Sequence, residues 1–206
     1  NVTCVDKNPR IVETLQAGRA TIHEPGLEEL LARAKPHLRV QTDIPDLSGH
    51  GAVFIAVGTP TKANGDADLQ FVDAAAKEVA ERIQAGAELV LVNKSTVPIG
   101  SAKHVSGIVQ RALTAKGIDA QVWVASNPEF LAEGRAVHDT LYPDRVVIGA
   151  DDPAPVGMLR ELYAPFLEQT FPAPAETPRP ERYTLPALIT TTPTSAELTK
   201  YAANSF

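Results

Sequence analysis

Apolar runs and amphipathic segments alternate along the chain, and this alternation predicts a sheet flanked by helices. Short β-branched runs without polar interruption are typical of strands buried on both faces, as in parallel sheets. The predicted strands are residues 2–5, 53–57, 89–92, 122–125 and 145–149, with an edge strand at 188–190. Apolar residues between them recur at helical spacing. We therefore expect an α/β fold, a doubly wound parallel sheet with helices on both faces.

Capping and turn residues set the helix boundaries in the first part of the chain. Asn8 is suited to cap a helix that begins with Pro9, and Gly18 is suited to end it. A second helix is expected after the turn formed by Glu24, Pro25 and Gly26. These signals place helices directly after the first predicted strand.

The C-terminal part of the chain breaks the alternation. Five prolines between residues 171 and 187 predict an exposed loop. Thr194 and Glu197 then occupy the two ends of a capping-box motif, which predicts a helix to the last residue. We interpret residues 1–192 as one domain and residues 193–206 as the start of a long helix leading to a second domain.

Composition and charge exclude several classes of function. The chain has 206 residues, of which 44% are apolar and 21% charged, as in ordinary globular proteins. Its net charge of -6 is interspersed, so we expect no nucleic-acid partner, and no apolar run reaches the ~20 residues of a membrane span. The five histidines lack metal-ligand spacing, so no metal is expected. The single cysteine, Cys4, is typical of a cytoplasmic protein.

Polar residues follow three predicted strands at the point where each strand ends. They are Val57–Thr61, Ser95–Val97, and the two carboxylates Glu129 and Glu133. Open α/β sheets bind ligands at the carboxyl ends of their strands. Glu129 and Glu133 are four residues apart, so a helical turn would place both on one side. Proton transfer is one interpretation of this pair, and a solvated first helical turn is the other.

Four further positions have a structural interpretation beside a functional one. Asp6, at the end of the first strand, is suited to bind an adenosine ribose or, more simply, to stabilise the helix that follows. Lys94 is most simply a solvated side chain. Lys200 and Asn204 share a helix face, although a solvated lysine would explain that position alone. The glycine-rich G-x-G-x-x-G fingerprint does not occur in these 206 residues.

Six segments, in order along nearly the whole chain, resemble the UDP-glucose 6-dehydrogenases of the UDP-glucose/GDP-mannose dehydrogenase family. The segments are Glu24–Leu27, Val57–Thr61, Asn93–Pro98, Ser126–Gly134, Pro143–Gly149 and Ser195–Asn204. The resemblance implies a Rossmann-like NAD-binding domain, here without its first strand-turn-helix, and a central helix leading to a UDP-binding domain. It also implies NAD-dependent, two-step oxidation of the C6 alcohol of UDP-glucose to UDP-glucuronate.

Position by position, the same resemblance assigns roles to residues. The implied catalytic residues are Thr96, which would position a water, Glu129 as general acid/base, and Lys200 and Asn204 as stabilisers of an oxyanion. The implied cofactor-binding residues are Asp6, Val57, Gly58, Thr59, Pro60, Thr61, Ser95, Thr96, Val97 and Glu133. The implied substrate-binding residues are Glu129, Phe130, Leu131, Ala132, Glu133, Lys200 and Asn204.

The chain departs from the family pattern in its thiol chemistry. The family's second oxidation uses a cysteine of the second domain, and Cys4 cannot replace it because Cys4 lies in the opening strand. Relatives acting on GDP-mannose or UDP-N-acetylmannosamine share much of the pattern and remain alternatives, as does a non-catalytic nucleotide-binding regulatory module. The resemblance further implies a UDP-sugar as partner, no membrane partner, and a homodimer formed through the central helix.

Overall fold

The computed structural model describes residues 1–205, so Phe206 at the end of the predicted last helix lies outside the described residues. The strands are β1 (Val2–Val5), β2 (Leu38–Gln41), β3 (Ala52–Ile55), β4 (Glu88–Asn93), β5 (Gln121–Ser126), β6 (Arg145–Gly149) and β7 (Ala187–Thr191). The helices are α1 (Pro9–Gln16), α2 (Leu27–Ala34), α3 (Gln70–Arg82), α4 (Ser101–Lys116), α5 (Ala136–Leu141), α6 (Pro153–Leu167) and α7 (Pro193–Ser205), with a 3₁₀ turn at Lys35–His37.

The strands form two sheets, which confirms the α/β class. One sheet has the order β3-β4-β5-β6-β7, and β1 and β2 form a separate parallel pair. Neighbouring strands are parallel except β5 and β6, which are antiparallel. The antiparallel contact is confined to the strand ends, where Ser126 pairs with Gly149, and α5, with six residues, is the helix in this connection.

Alternate residues of β4 divide the core between the two faces of the larger sheet. Leu91 packs in a cluster with Val105 of α4, whereas Val92 packs in a cluster with Leu159 of α6. All four side chains are fully buried. Helices therefore cover both faces, and each residue at the end of β4 points to one face or the other.

The first helix begins as predicted. The Asn8 side chain accepts a hydrogen bond from the backbone N–H of Arg10 at 3.0 Å, and Pro9 is the first helical residue. Gly18 adopts a φ of +77° just after the helix ends. The local sequence therefore determines both ends of α1.

The last helix begins differently from the prediction. α7 starts at Pro193, and the hydroxyl oxygen of Thr192 accepts the backbone N–H of Ser195 at 3.2 Å. The predicted capping box between Thr194 and Glu197 is wrong, because the Glu197 carboxylate binds backbone N–H groups of another helix instead. Tertiary contacts here override a local capping preference.

The proline-rich segment is a mostly exposed loop, as predicted, and hydrogen bonds attach it to the domain. It contains neither helix nor strand before β7 begins at Ala187. The Tyr142 hydroxyl donates to the carbonyl of Thr177 at 2.7 Å, and the Tyr183 hydroxyl donates to the carbonyl of Pro143 at 2.7 Å. These bonds attach the segment near α5 and the start of β6.

Candidate active site

Polar residues at the ends of β4 and β5 alternate between the two faces of the sheet. Asn93 pairs in register with Ser126, so their side chains lie side by side on the face covered by α4 and α7. The next residues, Lys94 and Asn127, point to the face covered by α6. We call these the α7 face (Asn93, Ser126, Glu197 and Lys200) and the α6 face (Lys94, Asn127 and Tyr163).

On the α7 face, a buried carboxylate binds the start of a helix. Glu197 is 3% exposed and accepts the backbone N–H of Gly100 at 2.6 Å and of Ala102 at 2.8 Å. The Ser126 hydroxyl donates to the same carboxylate at 3.2 Å. A negative charge is favourable here because the first N–H groups of α4 lack partners within the helix. Glu197 thereby fixes α7 against α4 and β5.

One turn further along α7, Lys200 contacts a carboxylate from the segment after β5. Its Nζ lies 2.8 Å from Oε1 of Glu129, and the residue is only 6% exposed. The same Nζ lies 5.8 Å from the centre of the Phe130 ring. A buried ammonium needs such a partner, because an unpaired buried charge is strongly destabilising. Two of the predicted catalytic residues therefore meet.

Glu129 does not lie on a helix. Its segment has neither helical nor strand structure, and its Oε2 accepts the backbone N–H of Leu131 at 2.6 Å. The predicted helical turn shared with Glu133 is wrong: Pro128 favours an extended residue before it, and the chain turns only at Gly134, where φ is +79°. Glu133 is exposed in that turn.

The surroundings of Glu129 favour its ionised form. Partial burial raises the pKa of the carboxyl, but hydrogen bonds from Lys200 and Leu131 and the charges of Lys200 and Lys94 outweigh burial. The net effect is a pKa below the ordinary value of a glutamate. Glu129 is therefore ionised at neutral pH.

On the α6 face, the hydrogen-bond partners of Lys94 within residues 1–205 are all neutral. Its Nζ lies 3.2 Å from Oδ1 of Asn127 and 3.4 Å from the hydroxyl oxygen of Tyr163, which itself donates to Asn127 at 2.5 Å. The expectation of a solvated Lys94 is wrong. Burial lowers its pKa to about 8; the charge of Glu129 opposes this shift and that of Lys200 adds to it.

The two predicted cofactor loops contact each other. The Ser95 hydroxyl donates to the carbonyl of Val57 at 2.7 Å, and the Thr59 hydroxyl donates to the carbonyl of Thr96 at 2.7 Å. Both hydroxyls are hydrogen-bonded to carbonyl groups of the protein, so mainly backbone groups of the loops are left for a ligand. A Cβ at Gly58 would meet nothing within 4 Å, which leaves open space for close approach.

The remaining predicted site residues lie in more exposed places. Asp6 accepts the backbone N–H of Asn8 at 2.8 Å, the helix-stabilising contact that its position favours. Asn204 is exposed, one turn beyond Lys200. Thr96 joins the cofactor loops through its carbonyl and is not among the residues that line the small cavity beside Lys200.

The side chain of Phe130 has a role that the sequence did not indicate. Its ring lies 4.5 Å from the guanidinium carbon of Arg145 and 5.8 Å from Nζ of Lys200. Both cations contact the ring, an arrangement that stabilises them electrostatically. Leu131 is 39% exposed, and Ala132 donates its backbone N–H to Asp139 at 3.0 Å.

Sequence reasoning also missed a buried carboxylate that holds the loop after Glu129. Glu24 is 8% exposed and accepts the backbone N–H groups of Gly134 at 2.7 Å and Ala136 at 3.0 Å. An acid before a Pro-Gly turn was the available signal. Within residues 1–205, no group of three or more potential metal ligands gathers, and no helix has the length and apolar character to cross a bilayer.

The sequence matches a family model over residues 1–167. The model describes the NAD-binding domain of the UDP-glucose/GDP-mannose dehydrogenase family. This chain belongs to that family. Membership confirms the predicted resemblance and the cofactor NAD, because the matched model describes an NAD-binding domain.

Individual relatives agree with this assignment. The chain is 39% identical to the UDP-glucose 6-dehydrogenase TuaD of Bacillus subtilis, covering 100% of this chain and 40% of that protein. It is also 39% identical to the UDP-glucose 6-dehydrogenase of Pseudomonas aeruginosa, covering 100% of this chain and 42% of that protein. The chain therefore spans about two-fifths of the length of these relatives.

Solved structures share the fold. A UDP-glucose dehydrogenase from the archaeon Pyrobaculum islandicum is 40% identical with a TM-score of 0.80, over 98% of this chain and 43% of that chain. A GDP-mannose dehydrogenase from Pseudomonas aeruginosa is 29% identical with a TM-score of 0.81, over 99% and 44% respectively. Fold similarity thus confirms the Rossmann-like architecture and leaves the choice of sugar nucleotide to other arguments.

Proposed function

We propose that the full-length protein oxidises the C6 alcohol of UDP-glucose to UDP-glucuronate in two NAD-dependent steps. The contact between Lys200 and Glu129 at the end of β5 is the observation that carries the proposal. It unites a base and a cation, the two groups that oxidation of an alcohol requires. Identities of 36–40% to UDP-glucose 6-dehydrogenases over the whole chain favour UDP-glucose as the substrate.

The residues of this chain have distinct roles in the first oxidation. Glu129 accepts the proton of the C6 hydroxyl, directly or through a water positioned by Thr96. Lys200, together with the amide of Asn204, stabilises the negative charge that develops on the oxygen. The loops Val57–Thr61 and Ser95–Val97 would hold NAD⁺, which would supply the acceptor for the hydride that leaves C6. Oxidation to the aldehyde thus releases one proton and one hydride.

The second oxidation requires a nucleophile that this chain does not offer. Burial and the charge of Asp6 raise the pKa of Cys4, which disfavours the reactive thiolate. Cys4 also lies in β1, away from the ends of β4 and β5. We therefore assign the covalent step to a cysteine outside this chain, as the family resemblance implies.

Counting reduced cofactor over a panel of sugar nucleotides tests the proposal. The full-length protein should release two NADH per UDP-glucose and little with GDP-mannose or UDP-N-acetylmannosamine. Absence of NADH with UDP-glucose would contradict the proposal. If the protein binds NAD but oxidises none of the sugar nucleotides in the panel, the regulatory-module alternative would be supported.

GDP-mannose is the second candidate substrate. The GDP-mannose dehydrogenase of Pseudomonas aeruginosa matches the fold as closely, with a TM-score of 0.81, although its identity of 29% is lower. The same panel separates the two candidates, since preferential oxidation of GDP-mannose would replace UDP-glucose in the proposal.

We also propose a cytoplasmic homodimer that forms through α7. Leu198 and Tyr201 on this helix are 52% and 38% exposed, which leaves apolar surface available for a second copy. Light scattering of the full-length protein tests the assembly, and a monomer at micromolar concentration would contradict it. Fractionation of cells tests the location.

A further inference from the structure

The side-chain amide of Asn93 is buried without a hydrogen-bond partner. The residue is 2% exposed, and neither Oδ1 nor Nδ2 has a partner among residues 1–205. Buried amides in native proteins are almost always hydrogen-bonded, either to protein or to ordered water. The unpaired amide of Asn93 therefore points to a bound molecule that forms its missing hydrogen bonds.

A small cavity lies beside this amide on the α7 face. Its volume is about 10 Å³, and its polar lining includes Asn93, Ser126, Glu197 and Lys200. A volume of this size is about the smallest that holds one ordered water molecule. The chemistry of the lining therefore has to be matched by a single water.

The lining offers a water the hydrogen bonds that it needs. The Asn93 amide supplies both a donor and an acceptor, and the Glu197 carboxylate is an acceptor. The Lys200 ammonium has three N–H groups, of which the contact with Glu129 occupies one. These groups provide about the three bonds that buried waters typically make.

We propose that one buried water binds in this cavity and joins Asn93 to Glu197 and Lys200, making Asn93 a positioning residue for the lysine. The positioning role rests on the proposed function, whereas the water site does not. When Glu129 takes up a proton, its attraction for Lys200 weakens. The water still accepts a hydrogen bond from the ammonium, because its charge does not change. The lysine therefore stays beside the oxygen that it stabilises.

A crystal structure of the full-length protein, at a resolution that shows ordered waters, tests the site itself. One solvent peak should lie within hydrogen-bond distance of Asn93 and of Glu197 or Lys200. A dry cavity would overturn the proposal, as would an Asn93 side chain bonded directly to a protein group. This measurement needs no activity, so it remains decisive if the substrate assignment fails.

Two matched variants test the positioning role. Asn93→Thr and Asn93→Val have nearly the same shape and suit a strand, but only threonine keeps a hydroxyl for the water. We expect the valine variant to lose the water and to lower kcat roughly tenfold, with the affinity for NAD unchanged. The threonine variant should retain the water and most of kcat.

The outcomes of this pair are distinguishable from failure of the proposed function. A kcat difference between the variants with equal NAD affinity supports a role for the water in placing Lys200. Equal kcat values in a pair whose structures differ in the water would overturn that role. Wild-type protein that oxidises no sugar nucleotide would instead refute the proposed function and leave the water site to crystallography.

Discussion

Two lysines near the ends of β4 and β5, one on each face of the sheet, have different hydrogen-bond partners. On the α7 face, Lys200 has the carboxylate of Glu129 at 2.8 Å. On the α6 face, Lys94 has only the oxygens of Asn127 and Tyr163, and burial lowers its pKa to about 8. The strand period of two residues points Asn93 and Lys94 to opposite faces, although the charge of Lys94 still acts on Glu129. The two lysines therefore differ in their electrostatic surroundings because their partners differ, although the residue type is the same.

Removing the carboxylate of Glu129, the partner of Lys200, should have the largest effect. In Glu129→Gln, the base is lost and Lys200 is left buried beside a neutral group, so we expect kcat to fall roughly 10²–10⁴-fold. Binding of NAD should persist, because the cofactor loops are not in this pair. Steady-state kinetics and NAD titration of the full-length protein measure both. Glu81→Gln, on the exposed surface of α3, is the control.

Removing the cation should come next. Lys200→Met keeps the length of the side chain but removes the ammonium, so the developing oxyanion loses a donor and kcat should fall roughly 10²–10³-fold. Lys103→Met, at an exposed lysine of α4, should leave kcat unchanged. Equal effects of the two lysine variants on kcat would refute the role of Lys200.

Displacing α7 from the sheet should lower the free energy of unfolding. A Cβ at Gly149 would lie 2.6 Å from Cβ of Ala196 and 2.8 Å from Cα of Pro193, so Gly149→Ala forces α7 away from β6. We expect a loss of about 1–3 kcal/mol in the free energy of unfolding, measured by denaturant titration. Gly157→Ala on α6 meets no atom within 4 Å and should stabilise by up to about 1 kcal/mol. Destabilisation by both would show that α7 packing is not the cause.

The smallest effect concerns the α6 face and depends on pH. Because the pKa of Lys94 is lowered from 10.5 to about 8, between these values the unfolded chain binds a proton that the folded protein lacks. The contribution of Lys94 to the free energy of unfolding therefore rises with pH in this window, by at most about 1.4 kcal/mol per unit. Below pH 8 the full cost of burying the charge remains.

The variant Lys94→Met should remove this pH dependence. Denaturant unfolding of wild type and variant, at several pH values across the window, measures the difference in unfolding free energy. The advantage of the methionine variant should be largest below pH 8 and should shrink as the pH rises. A difference that stays constant with pH would show that Lys94 keeps an ordinary pKa.

Local sequence predicted the elements better than it predicted the contacts between them. The Asn8 cap and the strands ending near Ser95 and Ser126 follow from local signals, and the structure confirms them. β2 was missed because Leu38–Gln41 is short and its apolar pattern is weak. Glu197 was misinterpreted because its partners lie almost a hundred residues away in the sequence.

In the candidate site, too, the sequence predicted positions along the chain better than it predicted contacts between distant residues. Strand-end positions indicated where the chemistry gathers, and the family resemblance supplied Glu129 and Lys200 as members. Nothing local indicated that Lys94 is half-buried or that Asn93 lies on the same face as Glu197. Both follow from the register of β4 on β5 and from the docking of α6 and α7, which are tertiary features.

A double-mutant cycle tests most directly whether Glu129 and Lys200 act as one unit on one sugar carbon. The kcat of the full-length protein is measured for Glu129→Gln, for Lys200→Met and for the double variant. Residues that act together give strongly non-additive losses, so the double variant should be little slower than the slower single variant. A double variant whose loss equals the product of the two single losses would contradict the account.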